Sequence, residues 1–283
     1  GDRAYDAALA YARERVQGRT AMGGETIIGH PDVRRMLLDM KAKLMGARAI
    51  NMATAVAGDI AVSHGDEDMR KAAHAREMLL TPIAKSYGSD VGIEATSTGV
   101  QIHGGMGFIE ETGAAQHYRD SRIAAIYEGT NGIQAIDLVG RKLRRDGGEA
   151  MGALIAELED IHALCDKTIK NQDADLSCSE DALRLGITHM TEATEIMLAA
   201  SDEDALAGAM DYLNLCAQVL SGALLIKATC NGLIAGDPSA ANMQALTWYH
   251  ALNVMPLAGT QLNALKRGLA PLEAYPETAL ADL

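Results

Sequence analysis

A chain of 283 residues can bury a large core and has room for two domains. It is 48% apolar but only 4% aromatic, with one Phe (Phe108) and one Trp (Trp248). That palette of Ala, Leu, Met and Gly favours close-packed helices over a β-sandwich with branched and aromatic faces. The formal charge of −13 is uneven, 19 Lys/Arg against 18 Asp/Glu in residues 1–145 and 6 against 20 in residues 146–283, so the second half lacks the basic footprint that nucleic acid requires.

In chain order, residues 2–17 read as a helix stopped by Gly18, and Pro31-Asp32 open a second that runs to about His64. Asp66, Glu67 and Asp68 suit the start of a third, which extends towards Gln101 with Pro82 expected to kink or break it. Gly104, Gly105 and Gly107 end that pattern in a loop. A short helix covers residues 115–125 and another starts after Thr130 and runs to about Arg145. The charge step at Arg144-Arg145-Asp146 marks the domain boundary. Four more helices follow, with Ser177/Glu180 and Ser201/Asp204 as capping pairs and Asp237-Pro238 opening the last, which ends near Gly268. The pattern predicts an all-α chain of two packed helical bundles, residues 1–145 and 146–270, with 271–283 as a loose tail.

Cys165, Cys178, Cys216 and Cys230 show no CxxC pairing and no histidine at metal-ligand spacing, so no metal site is expected. No signal peptide and no run of about 18 apolar residues is evident, so the expectation is a cytoplasmic protein that neither spans nor binds a membrane.

Two segments carry chemistry. Ile126-Tyr127-Glu128-Gly129-Thr130 places one carboxylate between a Tyr and a Gly just ahead of a helix start. Taken alone, Glu128 could be a base, or an acid satisfying free helix amides. Gln101-Ile102-His103-Gly104-Gly105-Met106-Gly107-Phe108 precedes it by some twenty residues. Paired glycines let backbone amides approach a phosphate, although most such pairs simply end helices. His103 has no partner spacing and reads as structural, or as a support behind a site residue.

Together with Arg119-Asp120-Ser121-Arg122 between them, these segments resemble the C-terminal helical domain of the acyl-CoA dehydrogenase family, over residues 3–145. The resemblance implies that Glu128 removes the α proton of an acyl-CoA thioester while hydride leaves the β carbon for FAD, giving a trans-2-enoyl-CoA. Tyr127 and Gly129 would lie against the substrate. Thr130 would touch the flavin, and Arg15, Gln17, Gln101, Gly104 and Gly105 would reach an FAD held mainly by a second subunit, in a homodimer. The family's Phe after the Arg15 motif and its Gln two positions past Thr130 are replaced here, the latter by Gly132. Electron-transfer flavoprotein is the implied acceptor. An acyl-CoA oxidase using the same base and a non-catalytic helical assembly module are the alternatives. Residues 146–283 resemble the helical extension of larger bacterial members, the 3-methylmercaptopropionyl-CoA dehydrogenase group among them. Nothing resembles the family's amino-terminal and β-barrel domains, so the chain is expected to be a fragment that is inactive alone.

Overall fold

The computed structural model describes residues 1–172, 174–275 and 277, and among them every regular element is helical. Helix α1 (Asp2–Glu14) buries Ala4, Ala8 and Ala12, an i, i+4 stripe of small side chains that lets it lie close to its neighbours. It stops three residues before the expected Gln17. Arg15 is extended, its carbonyl accepts from the Ile27 N–H at 2.8 Å, and Val16 bridges to Thr26. The β-branched Val16 suits that extended pairing better than a helix end.

Helices α2 (Pro31–Ser63) and α3 (Glu67–His103) form a long hairpin, roughly 50 Å from end to end at 1.5 Å per residue. Pro31 occupies the first turn of α2, where its missing N–H is no loss. The Asp66 carboxylate caps α3 by accepting from the N–H groups of Asp68 (2.8 Å) and Met69 (3.0 Å). Pro82 neither breaks nor ends α3. It is buried between Leu79, Leu80 and Ile83, so packing on both sides holds the helix through the one hydrogen bond that proline removes.

After α3 comes not an open loop but a single turn at Gly104, leading into the one-turn helix α4 (Gly105–Phe108). Helix α5 (Ala114–Ser121) passes into a 3-10 turn, Arg122–Ala125. Helix α6 (Asn131–Asp137) continues as a π-helix over Leu138–Arg144 and buries Leu138, Val139 and Leu143.

The acidic half holds more helices than the four expected: α7 (Glu149–Gln172), α8 (Ser177–Ala199), α9 (Asp202–Ala207), α10 (Ala209–Ala235), α11 (Ala240–Asn253), α12 (Leu257–Leu265) and α13 (Ala270–Glu273). Gly208 separates α9 from α10, and residues 254–256 separate α11 from α12. Ser201 caps α9 as anticipated, accepting from the Asp204 N–H at 3.0 Å. Ser177 does not cap α8. The cap position falls one residue earlier, on the buried Leu176, so that Ser177 is already the first helical residue, and its hydroxyl donates to Asp175 instead. Asp237 caps a turn through Ser239 (2.7 Å), and α11 begins only at Ala240. Of the expected tail, 271–273 fall on α13, 274, 275 and 277 lie beyond it, and 276 and 278–283 are outside the described residues.

Helix α10 lies at the centre, packed against α2, α3 and α6 of the first half and α7, α8, α11 and α12 of the second. By length and composition it could cross a membrane, which the sequence reading did not register, but 78% of its most apolar window is buried inside the molecule. It passes that test as a core helix. One continuous buried cluster, from Ala8 to Leu265, runs across the charge step. At the junction, a Cβ on Gly46 of α2 would sit 2.8 Å from the Cβ of Ser221 on α10. The hydroxyl of Ser221 lies 3.0 Å from Nε2 of the fully buried His250 on α11.

Candidate functional site

Glu128 has φ +54° and is the one non-glycine residue with positive φ among those described, followed by Gly129 at φ +87°. A bulky residue in the left-handed region costs on the order of 1 kcal/mol and persists only where its surroundings enforce it. Ahead of it the N–H groups of Ile126 and Tyr127 both donate to the Ile123 carbonyl at 3.0 Å, closing the 3-10 turn. Behind it Gln134 Nε2 donates to the Glu128 carbonyl at 3.2 Å, and Lys85 Nζ donates to the Gly129 carbonyl at 2.7 Å. Lys85 also donates to Asn131 Oδ1 at 2.9 Å.

The buried Asn131 in turn ties the segment to the middle of α3, donating to Asp90 Oδ1 (2.7 Å) and Ser89 Oγ (2.9 Å). Burial raises the Asp90 carboxyl above its ordinary value, while the Asn131 hydrogen bond, Lys85 and Arg122 pull the other way. The Thr130 hydroxyl accepts from the Ile133 N–H at 3.4 Å and caps α6. Glu128 itself is exposed, and no described residue accepts its backbone N–H. This chain therefore presents a carboxylate on a held backbone, beside an amide donor that no described residue engages, without shielding it from water.

The second segment lies further along α3. Asn131 grips residues 86–90, so Gln101 is roughly 20 Å away along the helix axis. Gln101, Gly104 and Gly105 are exposed. Gly104 has φ +59°, and a Cβ on either glycine would meet nothing within 4 Å. Gly107 is different: a Cβ there would fall on the Val100 carbonyl oxygen and 2.9 Å from His103 Cβ. His103 is buried, its Nδ1 lies 2.7 Å from the Gly99 carbonyl, and its ring stacks on Tyr11 at 4.5 Å, so it is structural. That stacking brings the end of α1, and with it the exposed Arg15, to the Gln101 end of the bundle. The Gln17 carbonyl accepts from His30 Nε2 at 2.9 Å. Arg119 makes a two-pronged ion pair with Glu110 (2.8 and 2.6 Å), bracing the intervening loop.

The predicted residues thus form two groups, 127–130 on one side and Arg15, Gln17, Gln101, Gly104 and Gly105 on the other. Around them Phe108 is 83% exposed, and Ile123, Ile126, Tyr127, Ile133 and Ile136 are exposed as well. Sequence reasoning missed Lys85 and Asn131. A half-buried lysine on a helix face with Leu79, Leu80, Pro82, Ile83, Ser86 and Tyr87 buried around it was the available signal, since such a charge needs a partner. Among the described residues no cluster of three or more His, Cys, Asp or Glu could hold a metal.

A 3-methylmercaptopropionyl-CoA dehydrogenase from Ruegeria pomeroyi is 42% identical over 235 residues, 78% of this chain and 38% of that protein. An acyl-CoA dehydrogenase from Bacillus anthracis, solved with FAD, superposes with a TM-score of 0.73 at 21% identity, over 93% of this chain and 46% of that one. ACDH-11 from Caenorhabditis elegans, solved with C11-CoA, gives a TM-score of 0.68 at 22% identity, over 89% of this chain and 40% of that one. At such identities the two structures speak for the fold alone, and the chain spans less than half the length of each of these proteins. Residues 1–143 match the sequence family described as "Acyl-CoA dehydrogenase, C-terminal domain", and the chain therefore belongs to the acyl-CoA dehydrogenase family.

Proposed function

We propose that this chain serves the oxidation of an acyl-CoA thioester to a trans-2-enoyl-CoA, with Glu128 as the base that takes the α proton. The observation that carries the reading is the enforced left-handed Glu128, held by Lys85, Asn131 and Gln134 with its own N–H left free. A base acting on a C–H bond must be held at one place, and the developing charge on the thioester oxygen needs a donor already aimed at it. The Glu128 carboxylate accepts the proton, and its N–H can donate to that oxygen. Gly129 leaves room for the thioester beside the backbone. The exposed apolar side chains around residues 123–136 are where covering surfaces would exclude water from the reacting groups.

The residues fit FAD. Gly104 and Gly105 offer backbone with open space around it, and the exposed Arg15 lies at the same end, which suits a pyrophosphate. Bound FAD supplies the hydride acceptor. With that end roughly 20 Å from the segment Asn131 anchors, Gln101, Gly104, Gly105 and Arg15 would serve the cofactor of a second subunit in a homodimer. Electron-transfer flavoprotein is the proposed acceptor.

Anaerobic addition of a panel of acyl-CoAs, a methylthio-propionyl thioester included, to the flavin-loaded holoenzyme that contains this chain tests the reading. Bleaching of the flavin band with formation of the enoyl-CoA is expected for at least one member. Failure of every thioester to reduce the flavin would exclude it.

A further inference from the structure

We propose that Lys85 and Asn131 are positioning residues for Glu128, a role that rests on the reading of Glu128 as the base. The Lys85 ammonium divides its hydrogen bonds between the Gly129 carbonyl (2.7 Å) and Asn131 Oδ1 (2.9 Å). Asn131, the first residue of α6, uses its other face on α3, giving one amide proton to Asp90 Oδ1 and one to Ser89 Oγ. The Ser89 hydroxyl passes its own proton to the Ser86 carbonyl at 2.9 Å. The chain of bonds therefore starts on the rigid middle of α3 and ends on the backbone one residue past Glu128.

Its geometric effect is specific. Gln134 holds the Glu128 carbonyl and Lys85 holds the Gly129 carbonyl, so the peptide planes on both sides of Gly129 are fixed. The first plane flanks the Glu128 Cα and helps set the direction in which it projects its carboxylate, at a backbone conformation the residue would not keep by itself; the second anchors that plane through Gly129. Gly129, also at positive φ, has no side-chain bulk to enforce its own conformation. Without the clamp the segment would relax towards ordinary conformations and the carboxylate would swing away. The segment before Glu128 cannot substitute, because its only backbone bonds close the local 3-10 turn on Ile123. Neither Lys85 nor Asn131 needs to touch the substrate for this role.

The test uses the flavin-loaded enzyme with Lys85→Met and, separately, Asn131→Ser, each followed by anaerobic stopped-flow reduction with an accepted acyl-CoA. If the two residues position the base, both variants keep their flavin and melting temperature, and the limiting rate of flavin reduction falls at least about tenfold, since a misplacement near 1 Å can cost about a hundredfold. The acyl-CoA dissociation constant should move less than about threefold, because the ground-state contacts remain. Reduction within about threefold of the unmodified rate in both variants would overturn the proposal. So would weakened binding at an unchanged limiting rate, or loss of fold and flavin in both, which would make the pair purely structural. Glu128→Gln, run beside them, separates the two claims. Reduction that survives Glu128→Gln overturns the base assignment itself, whereas reduction lost in Glu128→Gln and intact in the other two overturns the positioning role alone.

Discussion

His250→Gln removes one titrating group from the junction where α11 and α10 meet α2, and its effect on stability has a definite sign. Complete burial, with a smaller contribution from Lys43, pulls the His250 pKa from its ordinary 6.5 down to about 3, so the ring is neutral in the folded protein. The unfolded chain takes up a proton below pH 6.5 that the folded protein refuses until about pH 3. This group's contribution to stability is therefore complete above pH 6.5 and is lost as pH falls through that window. At about 1.4 kcal/mol per pH unit, roughly 2.7 kcal/mol is gone by pH 4.5. The other groups facing the junction do not blur the result. Burial pushes the Tyr87 phenol up to about 12, and Lys43 stays charged against Asp39 and Glu94. Both proteins share these groups, so their titration cancels in the difference. Urea unfolding followed by circular dichroism at pH 7 and pH 4.5, for each protein, gives the numbers. The unmodified protein should lose about 2–3 kcal/mol more than His250→Gln over that interval. Equal losses would mean that His250 is not held neutral in a sealed junction, and the account of how the acidic half joins the hairpin would fail.

Gly107→Ala would drive a methyl onto the Val100 carbonyl, 2.9 Å from His103 Cβ. It should cost about 1–3 kcal/mol of stability and lower flavin occupancy in the holoenzyme, read by thermal melting and the flavin absorbance ratio. Ser201→Ala removes the hydroxyl that accepts from Asp204 N–H and should cost about 1 kcal/mol in urea unfolding. Expressed alone, residues 1–283 should purify colourless and stay inactive with added FAD, because a half-site for the pyrophosphate end repays little of the cost of immobilising a long cofactor. A yellow preparation with near-stoichiometric flavin would place the cofactor's main contacts within this chain.

Much of the fold was legible because its punctuation is local. Pro31 at a first turn, Asp66 as a cap and Ser201 with Asp204 are short-range devices, and each starts a helix where its residue type suggests. Misreadings arose where packing overrides such signals. Pro82 is carried through α3 by buried neighbours on both sides, and Ser177 yields its capping place to Leu176, which is only 1% exposed. The π-helical run Leu138–Arg144 leaves no mark in residue pattern, since it changes the register of the backbone and not the choice of side chains. In the site, Glu128 and the paired glycines stood out because their residue types are unusual in their contexts. The clamp did not: Lys85 and Asn131 are 46 residues apart and acquire meaning only when α6 lies across α3.

The central claim is that Glu128 is the base, and the most direct measurement is anaerobic reduction of the flavin by acyl-CoA in Glu128→Gln holoenzyme. The amide cannot accept the α proton. The account predicts unchanged flavin content and acyl-CoA binding, with reduction slowed to the point that the flavin band persists. Near-normal bleaching in that variant would contradict it.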